Sequence, residues 1–146
     1  TLNATAATLT TGFYLACNDA TNNVFGIKLG GHLASAGTAV TGAAGAGAGT
    51  TPGAVVVTST TDSRGQVGIT TGTSNVAGTV FTITFAKTYA AAPYVFITPA
   101  NANTANAMVS SKIVASAPNA TTFTIVSTTT ALADSTAFLW NYFIIE

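Results

Sequence analysis

At 146 residues the chain is long enough for one domain with a buried core, or for one domain and a smaller arm. Only 5% of its residues are charged, four basic against four acidic, so the formal net charge is zero. That balance carries no electrostatic footprint for DNA, RNA or an acidic membrane, and 48% hydrophobic residues is not the composition of a disordered chain.

The chain opens on Thr1 without a signal-peptide pattern, so a processing site or an excised boundary is expected there. Residues 1–41 hold two strand-like pieces, GFYLA (12–16) and VFGIKL (24–29), around CNDATNN. Asn18, Asp19, Asn22 and Asn23 favour turns, because their side chains bond nearby backbone and tolerate left-handed conformations. The segment reads as a β-hairpin or small β-arm that is too short to stand alone. Cys17 is the single cysteine, expected as a small buried hydrophobe rather than a reactive thiol. With one histidine, His32, the chain cannot complete an ordinary zinc site by itself, and no metal or cofactor is expected.

Residues 42–53, GAAGAGAGTTPG, are a Gly/Ala-rich connector. A phosphate loop needs Lys and Ser/Thr after its last glycine and then a helix; Gly49 is followed by Thr50, Thr51 and Pro52 and a valine-rich strand. The alternation from Gly45 to Gly49 would place hydrogens on one face and methyls on the other, which suits close approach to a neighbouring chain. A flexible linker is the alternative.

Residues 54–146 are expected to form the head. AVVVTST (54–60), QVGITTG (66–72), TVFTITFA (79–86), PYVFITP (93–99), AMVSSKIVAS (107–116), TTFTIVST (121–128) and AFLWNYFII (137–145) read as strands. In TVFTITFA, Phe81, Ile83 and Phe85 point one way and Thr82 and Thr84 the other. The last segment is apolar on both faces, as in a central strand or one wedged against another subunit. No 3.6-residue period stands out, and no run reaches the 18 apolar residues of a membrane span, so no membrane insertion is expected. The fold class is all-β: an antiparallel β-sandwich preceded by a small β-arm and the connector.

Chemistry is sparse. Asp19, Asp62, Asp134 and Glu146 have no local spacing that pairs two carboxylates, and no G-x-S-x-G elbow occurs. The chain is read as no enzyme; a polysaccharide hydrolase would need a carboxylate pair assembled by folding or between subunits. The polar candidate is PANANTANA (99–107), a loop presenting Asn101, Asn103 and Asn106, whose amides suit sugar hydroxyls and equally suit turn bonds of their own. Tyr89 and Tyr94 could add aromatic faces to a sugar or serve as core or interface rings. Asn3-Ala-Thr5 and Asn119-Ala-Thr121 match the glycosylation pattern, which has meaning only in a eukaryotic secretory context. A neutral surface of this kind favours association, so partner chains are expected to cover much of it.

The succession Thr84, Phe85, Tyr89, Pro93, Val95, then Thr98 to Asn101, then the aromatic strand Phe138 to Ile145, resembles a C-terminal module of bacteriophage tail-fibre and related virion proteins. VFGIKLGGHLASAGTA and the Gly-Ala run resemble that family's lead-in, so the likeness runs from about residue 24 to the end. The order of strands is more distantly similar to H-type lectin sandwiches, from which no sugar-binding position carries over. The resemblance implies a virion tail fibre outside the cell: a homotrimer joined to other virion tail proteins, attached to a host surface and presenting its head to a host cell-surface glycan. A purely structural shaft or capsid-decorating subunit is the alternative.

Overall fold

The computed structural model describes residues 13–19, 22–28, 32–35, 37–116 and 119–146. The chain divides into two compact units, Thr1–Gly37 and Thr38–Glu146. The Asn3-Ala-Thr5 pattern lies outside the described residues.

The first unit holds β1 (Phe13–Asp19), β2 (Asn22–Lys28) and β3 (Leu33–Ser35), an antiparallel sheet in that order. Cys17 lies opposite Phe25 in the β1–β2 register, Asn18 opposite Asn23 and Asp19 opposite Asn22, so these Asx residues lie in the paired ends of the two strands. The expected hairpin is therefore present and gains a third strand.

The second unit is an all-β sandwich of two antiparallel four-stranded sheets. Sheet I runs β4 (Thr41–Ala44), β7 (Gly78–Thr84), β10 (Thr122–Ser127), β9 (Ile113–Ser116). Sheet II runs β5 (Val56–Thr58), β6 (Arg64–Thr70), β11 (Ala137–Ile145), β8 (Tyr94–Pro99). Period-two side chains build the interior between them. Phe81 and Ile83 of β7, Phe123 and Ile125 of β10, and Trp140 and Tyr142 of β11 are all buried. Rings interlock across the two sheets, Phe81 against Trp140 at 5.4 Å and Phe123 against Tyr142 at 5.3 Å between centroids, spacings at which tilted aromatic pairs attract. Phe85 is buried with Phe81 and Ile83 while Thr84 is exposed, as the alternation of TVFTITFA requires. The final segment is one of the two central strands of sheet II, flanked by β6 and β8.

Two sequence expectations give way to different structure. The Gly/Ala run begins as β4, paired to β7, and continues as a one-turn 3-10 helix over Ala46–Ala48. Gly45 lies so close to β7 that a Cβ there would sit 2.3 Å from the Thr79 carbonyl oxygen. The close approach that its missing side chain permits is thus made to a strand of the same chain. The second difference is α1 (Ala102–Ser110), a helix where a loop and the start of a strand were expected. Of the segment 107–116, only Ile113–Ser116 is strand, and Ser111 with Lys112 makes the turn between helix and strand. The helix buries Thr104, Ala107 and, just past its end, Ser111, with Met108 packed against the core. These positions follow a helical i, i+3, i+4, i+7 spacing, but threonine, alanine and serine give it little hydropathic contrast.

Candidate functional site

The helix that replaces the expected loop is built by the asparagines in it. Asn101 is the N-cap: its side-chain oxygen accepts from the Thr104 backbone N–H at 2.8 Å, satisfying one of the donors that a helix start leaves open. Its amide nitrogen donates to the Ala137 carbonyl at 3.2 Å, and Asn103 donates to the same oxygen at 3.1 Å. Thr104 completes the attachment: its fully buried hydroxyl oxygen accepts from the Leu139 N–H at 2.7 Å. Asn101, Thr104 and Asn103 thus fasten α1 to the first residues of β11.

Opposite the helix runs the loop 128–136, held from below. Buried Thr71, just past β6, donates its hydroxyl to the Ala133 carbonyl at 2.7 Å and accepts from the Thr136 N–H at 3.0 Å. Asn75 donates to the Leu132 and Ala133 carbonyls, while the Asp134 carboxylate accepts from the Ser74 and Asn75 N–H groups. Between helix and loop lies an open cleft of about 390 Å³. Asn103, Asn106 and Ser110 face it from the helix, Thr130 and Thr136 from the loop, and Leu132 and Phe138 lie along it. Thr130 bonds to the Ser110 carbonyl and the Ser111 hydroxyl, each at 3.2 Å, and so joins the two walls. Asn103 and Asn106 are exposed, and the Asn106 amide takes no partner among the described residues. The cleft presents neutral donors and acceptors beside apolar surface, with no charged group in its lining.

The tyrosines lie elsewhere. Tyr94 begins β8 and Asn101 follows its end; at about 3.3 Å of rise per residue the two are about 20 Å apart. They cannot contact one small sugar together. Tyr94 is exposed on the outer face of sheet II. Tyr89 is half-buried, edge-on to Phe85 with 4.8 Å between centroids, and its hydroxyl donates to the Asp62 carbonyl at 2.6 Å. The Tyr142 hydroxyl donates to the neighbouring Thr61 carbonyl. Burial first, then the Asp62 and Glu146 carboxylates, push the Tyr89 phenol up to about 12. Burial and then Asp62 and Tyr89 raise the Tyr142 phenol as well, against the Thr61 hydrogen bond and Arg64.

Folding therefore brings Asp62 and Glu146, remote in sequence, to one corner around Tyr89. Their bonds there are those of backbone caps. Asp62 accepts from the Ala86 and Lys87 N–H groups at 2.6 and 2.8 Å, and Glu146 from those of Ala90 and Ala91. All three carboxylates of the sandwich, counting Asp134, hold loop backbone in place. Among the described residues no group of three His, Cys, Asp or Glu side chains could hold a metal ion. No described helix is long and apolar enough to cross a membrane. The Asn119 side chain accepts from the Thr121 and Thr122 N–H groups and makes a local turn.

Sequence reading singled out Asn103 and Asn106 but not Ser110, Thr130 or Thr136, which share the cleft with them. The Asn101 cap before an alanine-rich run was the available signal for the helix that aligns one wall. The other wall rests on Thr71 and Asn75, whose long-range bonds have no local signature. Comparison of the chain with protein families, with curated proteins and with solved structures finds no match.

Proposed function

We propose that this chain is a non-enzymatic virion protein, the head module of a homotrimeric tail fibre outside the cell that takes part in host attachment. The cleft between α1 and loop 128–136 is the surface it offers to a host glycan. The observation that carries this reading is the cleft's lining. Amide and hydroxyl groups from two well-anchored walls converge beside apolar surface without a charge, which matches the hydroxyls and C–H faces of a neutral sugar. The use of all three sandwich carboxylates as backbone caps fits a binding module better than a hydrolase, whose site needs a carboxylate pair free to act. The tail-fibre resemblance of the Thr84–Ile145 stretch supplies the setting.

The test is a glycan and host-envelope binding screen with the assembled protein. Binding that falls at least tenfold in an Asn103→Ala/Asn106→Ala variant, with the assembly intact, is the expected result. An intact assembly that binds neither glycans nor envelope material refutes attachment and leaves a shaft or decorating subunit.

A further inference from the structure

The two sheets of the sandwich treat their outer faces differently. On sheet I the outward positions are mostly hydroxyl-bearing. Thr82 stands opposite Thr124, Thr84 opposite both Thr122 and Thr41, and Ser116 opposite Thr124, with one Val114–Val126 pair among them. This is a water-facing β surface written almost without charges. Sheet II departs from it. On its outer face Phe96 stands opposite Phe143 and Tyr94 opposite Ile145, so the four side chains form one contiguous block across β8 and β11. The next row is polar, Gln66 donating to Asn141 at 3.0 Å, with Thr98 opposite Asn141. Arg64 flanks Phe143 on the β6 side.

The block is open to solvent in the single chain: Tyr94 is 74% exposed, Phe96 56%, Phe143 51% and Ile145 47%. Taking roughly 200 Å² for each full side chain, about 450 Å² of contiguous apolar surface is on view. That falls within the range of the largest patches on monomeric proteins, which tend to be functional. It is also about half of the roughly 800 Å² per partner that a stable interface buries, and the polar row beside it supplies a rim.

From this we infer that the outer face of sheet II, centred on Phe96 and Phe143, is where a second copy of this chain docks. The proposal rests on the reading of the chain as an assembling module and identifies the surface that assembles it. A second copy fits better than a charged partner because the chain has zero net charge and 5% charged residues. Copies therefore approach without net repulsion, and a charged partner would find no field to steer it. The apolar alternation on both faces of β11 has the same cause: Trp140 and Tyr142 fill the core of one chain while Phe143 and Ile145 meet another.

The experiment combines light scattering of the full chain at micromolar concentration with hydroxyl-radical footprinting of the same sample. The expected result is an oligomer in which Tyr94 and Phe96 oxidise no faster than buried Tyr142. A Phe96→Thr/Phe143→Thr variant, which copies the face of sheet I, should run at the 14.5 kDa of one chain with the parent's circular dichroism. A monomeric parent refutes the assembly reading and this face together. An oligomer in which Tyr94 reacts as an exposed residue refutes this face alone and leaves assembly standing, with the block open to some other ligand. A folded variant that stays oligomeric does the same. Should the variant fail to fold, the footprint of the parent still decides.

Discussion

Replacing Thr104 by valine tests whether one buried hydrogen bond sets α1, and with it one wall of the cleft. The substitution keeps the branched shape and removes the acceptor for the Leu139 N–H, which Thr104 meets at 2.7 Å with no exposure. A buried donor left without a partner costs about 1–3 kcal/mol. The methyl that takes the hydroxyl's place returns up to about 0.8 kcal/mol through burial, so the net loss lies between about 0.2 and 3 kcal/mol and centres on roughly 1–2 kcal/mol. In a chain of this length that lowers the melting temperature by roughly 3–8 °C at fixed protomer concentration. Thr104→Ser keeps the acceptor and loses only a methyl, about 0.5–1.5 kcal/mol by analogy with Ile→Val. The two variants can overlap in Tm, so hydrogen exchange decides between them. The Leu139 amide should exchange faster in Thr104→Val and stay protected in Thr104→Ser. A valine variant that melts with the parent and keeps Leu139 protected would refute the assignment of this bond as the anchor.

Three further outcomes follow from the same geometry. Asn101→Ala removes the helix cap and one of the two amides on the Ala137 carbonyl, at a cost of about 1 kcal/mol; hydrogen exchange of the first turn of α1 should rise, and an unchanged rate would contradict the cap's role. Gly45→Ala forces a Cβ to within 2.3 Å of the Thr79 carbonyl and should destabilise by roughly 1–3 kcal/mol or more in urea unfolding. Gly53→Ala, whose Cβ would meet Thr70 at an ordinary 3.5 Å, should be neutral, and equal effects at the two sites would count against the β4–β7 packing. Tyr89 and Tyr142 titrate above the ordinary value of 10.0, so the neutral phenol is the form the fold favours. Tyr89's contribution to stability is complete below pH 10 and is lost as pH rises from there through about 12, and that of Tyr142 is lost at higher pH still. Ultraviolet titration should show both phenolates forming late, Tyr89 somewhat earlier in Asp62→Asn, and a normal titration of both would refute their burial.

The sandwich was legible because its core strands advertise their period. Phe81, Ile83 and Phe85, like Phe123 and Ile125, are large apolar residues separated by threonines, and β11 matches the segment expected for it end to end. β4 was hidden for the opposite reason: Thr41–Ala44 is exposed at every position, so its strand state comes from pairing with β7 and not from any pattern of its own. The helix was hidden by small residues. Thr104, Ala107 and Ser111 mark its buried face, but none is large enough to make a periodic signal, while three asparagines nearby read as turn formers.

The candidate site shares that history. Asn103 and Asn106 stood out as polar residues between strands, yet what aims them is the Asn101 amide nitrogen and the Thr104 hydroxyl, bonded to backbone 36 and 35 residues further along the chain. The facing loop depends on Thr71, buried at the end of β6 and bonded across the head to Ala133 and Thr136. In a chain with so few charges, positions are fixed by neutral side chains bonding to distant backbone. Each such bond is worth only about 1 kcal/mol net but is expensive to leave half-made when buried. Threonine is the residue that does this most often here, in the core at Thr104 and Thr71 and in the loop at Thr128 and Thr130. The same economy makes the aromatic block on sheet II conspicuous: the outer face of sheet I carries mostly threonine and serine, whereas Phe96 and Phe143 stand opposite each other on the outer face of sheet II, and the proposed second copy is what would cover them.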